Sequence, residues 1–97
     1  MNMDTTYDTK TIEMAKKYVW WKSPEDALSD QSHFIAQLMT LGTLEDTRWL
    51  RATFSAEELA DVLNHPPPGV FTGRAWHYWH IRLGISPIPA LPVREIP

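Results

Sequence analysis

At 97 residues, 22% charged and with a formal net charge of −3, the chain fits one small domain and excludes a wholly basic nucleic-acid binder. It has no cysteine, which removes disulfide scaffolds, thiol nucleophiles and zinc sites built on Cys. No apolar run approaches the roughly 18 residues of a membrane span, and the polar opening MNMDTTYDTK is not a signal peptide, so a cytoplasmic protein without a membrane partner is expected.

The expected organisation is a flexible N-terminus over 1–8, a helical domain over 9–84 and a Pro-rich extended tail over 85–97. A first helix is predicted over 9–21, because Ile12, Ala15 and Val19 follow helical spacing, with Met14 and Tyr18 close to that face. Ser23-Pro24-Glu25-Asp26 then supplies an N-cap, a proline for the first helical position and acids for the positive helix end, so a short helix runs to Ser29. Residues 31–41 form a longer helix with Phe34, Ile35, Leu38, Met39 and Leu41 as its apolar stripe, and Gly42 is placed for a left-handed C-terminal cap.

Thr43, with Asp46 three residues on, is a variant capping box and opens a helix to Thr53 carrying Leu44, Trp49 and Leu50. Ser55-Ala56-Glu57-Glu58 is a full capping box for a helix to Asn64, with Leu59, Val62 and Leu63 as the buried side. His65-Pro66-Pro67-Pro68-Gly69 cannot be helical and reads as a rigid loop. Thr72 caps a last helix over 73–83, which ends at Gly84. The following ISPIPALPVREIP has four prolines in thirteen residues and is expected to be extended, near polyproline II. There is no internal repeat and no alternating strand with a hairpin turn. The fold class is therefore all-α, a single compact domain of five to six short helices with an extended tail.

The chemistry-bearing residues are sparse. GxGxxG, GxxxxGK[ST], GxSxG and HExxH motifs are absent. His77 and His80 are three apart on the last helix, but a metal needs further ligands, only His33 and His65 remain, and no acid lies on that helix. Neither a metal nor another cofactor is expected; the two imidazoles are read as flanking an aromatic face with polar tips in water. The acids, Asp46 among them, are read as first-turn caps and solvated faces. A small enzyme using His65, His77 and His80 is the weakest reading.

The chain has five tryptophans. Trp49, Trp76 and Trp79 are expected in the core, and Trp76 and Trp79 share a helix face with Leu83 while Tyr78 points elsewhere. Trp20 and Trp21 are adjacent and diverge, so at least one lies near the surface. Charge is mildly asymmetric: residues 48–97 hold five Arg against four acids, and 1–47 hold four Lys against eight. Arg74, Arg82 and His77 are read first as a solvated helix face and, as the alternative, as a stripe for phosphate or an acidic partner surface.

Gly42-Thr43-Leu44-Glu45-Asp46-Thr47-Arg48-Trp49-Leu50, followed by Phe54, Glu57-Glu58-Leu59, Val62-Leu63 and the Tyr78-Trp79 pair, carries a resemblance over 34–83. The stretch resembles a family of small helical bacterial proteins encoded beside nucleotidyltransferase-like toxins of the abortive-infection class. That family's pattern has an early aromatic, here Trp20 or Trp21, then GT-x-x-D/E-x-x-W-L, then a late aromatic pair. The resemblance implies an antitoxin that binds and neutralises such a toxin, and it supplies no catalytic residues. The first helix and the tail lie outside it.

The expectation is a non-enzymatic protein-interaction module. Its partner-binding residues are taken as Trp20, Trp21, Arg74, His77 and Tyr78, with Ile88, Leu91, Val93 and Ile96 from the tail. On that reading, truncation after Ser86 weakens the complex without unfolding the domain. The alternative is a helix-turn-helix regulator reading DNA with Arg48 and Arg51, and DNA binding for autoregulation is compatible with either reading. The net charge and the Glu45/Asp46 pair at the start of that second helix oppose it.

Overall fold

The computed structural model describes residues 8–91. Within them the chain forms six helices and no strand, the all-α class expected: α1 (Thr9–Tyr18), α2 (Pro24–Ser29), α3 (Gln31–Leu41), α4 (Leu44–Thr53), α5 (Ala56–Asn64) and α6 (Gly73–Arg82).

Each helix begins on a side-chain cap. Asp8, Ser23, Asp30, Thr43, Ser55 and Thr72 each accept a bond from the backbone N–H three residues on, satisfying one of the donors that a helix start leaves unpaired. The Thr11 N–H also holds the Asp8 carboxyl below the usual carboxylate range. At Ser55 the box is reciprocal, with Glu58 Oε1 taking the Ser55 N–H at 2.8 Å. The box expected at Thr43 is only half made. Asp46 donates its N–H to Thr43 Oγ1 at 3.1 Å, but its carboxylate turns into the interior.

α3 carries an apolar stripe broad enough to place it in the middle of the domain, with Gln31, Ser32, His33, Gln37 and Thr40 as its polar residues. Phe34, Ile35, Ala36, Leu38 and Met39 are all buried, and α3 packs against every other helix. α1 brings Met14, Ala15 and Tyr18 to it, with Val19 following, and α5 brings Leu59, Val62 and Leu63. The buried face of α1 runs through Thr11 rather than Ile12, which is half-buried, so the face is turned by one residue from the expected stripe. α1 also ends three residues early, because Val19 leaves helical geometry with φ −131° and ψ 57°.

Gly42 is a correction. Its φ of −68° and ψ of 146° are extended, not left-handed. Glycine is needed there for space: a Cβ would press into the Leu38 carbonyl oxygen and sit 3.1 Å from the Thr47 methyl carbon. Gly84 does adopt the left-handed conformation, with φ 71°. Its N–H reaches the Ile81 carbonyl at 3.1 Å and the Ile85 N–H reaches the His80 carbonyl at 2.9 Å, closing α6 with a Schellman motif.

Beyond Gly84 the chain turns back along α6. Trp76 Nε1 donates to the Pro89 carbonyl at 2.8 Å, and Ile85, Ile88 and Leu91 pack on the core. Most of the N-terminus expected to be flexible, and tail residues Val93 and Ile96, lie outside the described residues.

Candidate functional site

Six large apolar side chains stand exposed: Trp20, Trp21, Leu41, Leu44, Tyr78 and Ile81. They fall into two groups at opposite ends of α3. Trp20 and Trp21 follow α1, edge-to-face at 5.6 Å, with Trp21 in turn edge-on to His33 in the first turn of α3. Leu41, Leu44 and Tyr78 lie where the C-terminal end of α3 meets α4 and α6, and Ile81 follows Tyr78 on the outer face of α6.

Leu44 and Tyr78 of this second group line a groove of about 370 Å³. Leu44 and Thr47 of α4 line one side; Arg74, Ala75 and Tyr78 of α6 line the other; Met39, Thr40, Gly42 and Trp79 lie between them. Local sequence dictates the α6 wall. One helical residue advances about 100°, so fixing Trp76 and Trp79 inward leaves Arg74, His77, Tyr78 and Ile81 on the outer face. All four are exposed, and their i, i+3, i+4, i+7 spacing makes one continuous stripe. Thr40 Oγ1, buried beside the groove, is the one buried side-chain polar atom without a hydrogen-bond partner among the described residues.

The α4 wall is held by a polar tie centred on the buried Asp46 carboxylate. Lys17 Nζ and Tyr18 Oη both donate to Asp46 Oδ2, at 2.7 and 2.6 Å. The Thr43 N–H donates to Tyr18 Oη at 3.4 Å, so α1 grips the first turn of α4 through both the cap and the acid. The Lys17 ammonium and Tyr18 hydroxyl, bonded to the Asp46 carboxyl, hold it below the usual carboxylate range. Burial, reinforced by the bond to Asp46, pushes the Tyr18 hydroxyl up, and the same carboxylate raises the Lys17 ammonium. Asp46 is therefore not the solvated first-turn acid expected.

The expected site residues are thus divided. Arg74 and Tyr78 line the groove, and His77 stands beside them on the same stripe. Trp20 and Trp21 are exposed, 75% and 49%, but at the other end of α3. Ile88 and Leu91 are partly buried against the domain's own core. Arg48 is exposed one turn beyond Leu44 on the same side of α4, whereas Arg51 is half-buried at a separate recess with Phe54, Leu59 and Arg82.

Two corrections concern aromatic and imidazole groups. His80 is 1% exposed, not a water-facing flank: its Nδ1 lies 2.7 Å from the Trp76 carbonyl and its ring 4.3 Å from the Trp76 ring. Trp49 is half-buried, edge-on to Phe34 and Phe54, rather than fully in the core. Sequence reasoning missed Leu41, Leu44 and Ile81 as surface residues; Leu41, expected on the apolar stripe of α3, is exposed. For Ile81 the signal was present, because a face carrying Trp76 and Trp79 inward must carry Ile81 outward.

A second recess, about 280 Å³, lies between Asp8, Thr11, Gln31, Phe34 and Phe54. Its Asp8 carboxylate is committed to capping α1. Among the described residues, no group of three His, Cys, Asp or Glu is gathered to hold a metal ion, and no helix is long and apolar enough to cross a membrane. No family model matches the chain, and neither a curated protein nor a solved structure matches it.

Proposed function

We propose that this chain is a non-enzymatic protein-interaction module, and that the protein it binds and neutralises is a nucleotidyltransferase-like toxin. The observation that carries the interaction reading is the exposure of Leu44 and Tyr78 on the two walls of one groove, with Arg74 beside Tyr78 and the exposed Ile81 one turn further along α6. Exposed apolar side chains grouped at a concave site and edged by arginine are the features of a docking surface, where tyrosine and arginine carry much of the binding energy. The toxin as partner rests on the resemblance of 34–83 alone.

The test is recovery of the chain from its host at endogenous level, with mass spectrometry of what accompanies it. It is followed by co-expression of the recovered protein with the wild-type chain or with the double variant Tyr78→Ala/Ile81→Ala. A stoichiometric nucleotidyltransferase-like protein, whose toxicity is relieved by the wild type and not by the folded double variant, is the expected result. A different stoichiometric protein overturns the toxin and leaves the interaction reading. The chain emerging alone, or with promoter DNA only, overturns both.

A further inference from the structure

We infer that the partner docks as an amphipathic helix with an acidic flank, laid along the outer face of α6 with its apolar side chains in the groove beside Leu44. The inference rests on the interaction reading above and adds the chemistry of the partner's segment.

The geometry comes first. Arg74, His77, Tyr78 and Ile81 repeat at the interval by which one helix meets another, and the groove runs between that stripe and the first turn of α4. An added strand would need an open sheet edge, and the described residues contain no strand.

Charge then selects the partner. α6 contains no acid. Arg74 stands on one wall and Arg48 beyond Leu44 on the other, with Glu45 the exposed acid nearby. The ion pairs among the described residues are Lys17–Asp46 and Asp61–His65, and neither arginine is engaged within that set. A basic rim is thus set on a chain whose net charge is −3. A second copy meeting it through the same face would set these arginines against each other. Carboxylates flanking an apolar stripe would instead give each guanidinium a charge-assisted partner.

The experiment titrates the isotope-labelled full chain with two synthetic helical peptides sharing one leucine stripe, flanked by Glu in one and by Lys in the other. The Glu peptide should shift the resonances of Leu44, Arg74, Tyr78 and Ile81 and bind about tenfold tighter than the Lys peptide. Arg48→Glu/Arg74→Glu should reverse that order. Both positions are exposed, and an acid suits the first turn of α6, so the variant should fold. Equal binding, no binding, or shifts confined to Trp20, Trp21 and His33 overturn the inference.

Hydrogen exchange on the complex recovered from the host separates the two proposals. Protection of 73–82 by a protein supports the docking mode. Protection only around Trp20 and Trp21 overturns the docking mode while the interaction reading stands. Protection of 73–82 by DNA overturns both. If no partner is recovered, the interaction reading fails and the peptide titration still decides the docking chemistry.

Discussion

Trp76 and Trp79 on α6 and Trp20 and Trp21 after α1 are chemically identical pairs with opposite fates. Trp79 is 1% exposed and Trp76 4%, and each donates its indole N–H to a distant backbone carbonyl, Met39 at 2.9 Å and Pro89 at 2.8 Å. Trp20 and Trp21 stand in the open, packed against each other and His33. Spacing separates them. Three residues apart in an unbroken helix, two rings point the same way and reach the core together. Adjacent residues beyond a helix that has just ended at Tyr18 diverge, and Val19 takes the interior position instead. One pair is a structural element, and the other is free for a different use.

The largest expected effect tests the buried pair. Trp79→Ala should cost about 3–5 kcal/mol, because it opens a cavity where α3 meets α6 and leaves the Met39 carbonyl without its donor. For a domain stable by roughly 5–15 kcal/mol that is a large share. Urea denaturation followed by circular dichroism measures it. A loss near that of a surface substitution would mean that α6 is not integral to the core.

Next comes the tie that positions the α4 wall of the groove. Asp46→Asn keeps an oxygen that can accept from Lys17 and Tyr18 but removes the negative charge, and should cost about 1–2 kcal/mol near neutrality. The sign with pH follows from the directions. Asp46 titrates lower in the fold than in the unfolded chain, so its contribution is present above the unfolded value of about 4 and is lost as pH falls through the folded one. Tyr18 and Lys17 titrate higher in the fold, so theirs holds up to about pH 10 and is lost above it. Denaturation of wild type and variant at pH 7 and pH 3 should show the difference shrinking in acid. A pH-independent difference would separate the carboxylate's role from its charge.

The local signals were legible. Ser23, Thr43, Ser55 and Thr72 begin helices as their side chains direct, and the Pro66–Pro68 run and Gly84 end them. What was hidden depends on partners far along the chain. Asp46 looks like any first-turn acid until Lys17, 29 residues earlier, is beside it. His80, by contrast, was readable: four residues on from Trp76, it shares that ring's inward side. Gly42 looks like a left-handed cap, but crowding by Leu38 and Thr47 is a property of the packed corner, not of the tripeptide. The α6 stripe needed only helix geometry, whereas its groove needed α4 set opposite.

A comparable effect follows for the returning tail. Trp76→Phe keeps an aromatic ring between Phe71 and His80 but removes the donor to Pro89. It should cost about 1–2 kcal/mol, and amides over 85–91 should exchange faster than those of α6. Uniform acceleration of both would show that tail and helix open as one unit. In that case, truncation after Ser86 would lower domain stability and would not test the tail as a free arm.

The smallest expected effect is the sharpest test of the comparison. Trp20→Ala and Trp21→Ala should each change stability by no more than about 0.5 kcal/mol, because neither ring fills the interior and what is lost is an edge contact at the surface. Fluorescence should respond far more than stability, since two of the five indoles report from water. A loss of 2 kcal/mol or more, well above the surface range, would mean that the Trp21–His33 contact anchors the α1–α2 turn to α3. The pair would then be structural, and the groove at the far end of α3 would be the one exposed apolar surface left for a partner among the described residues.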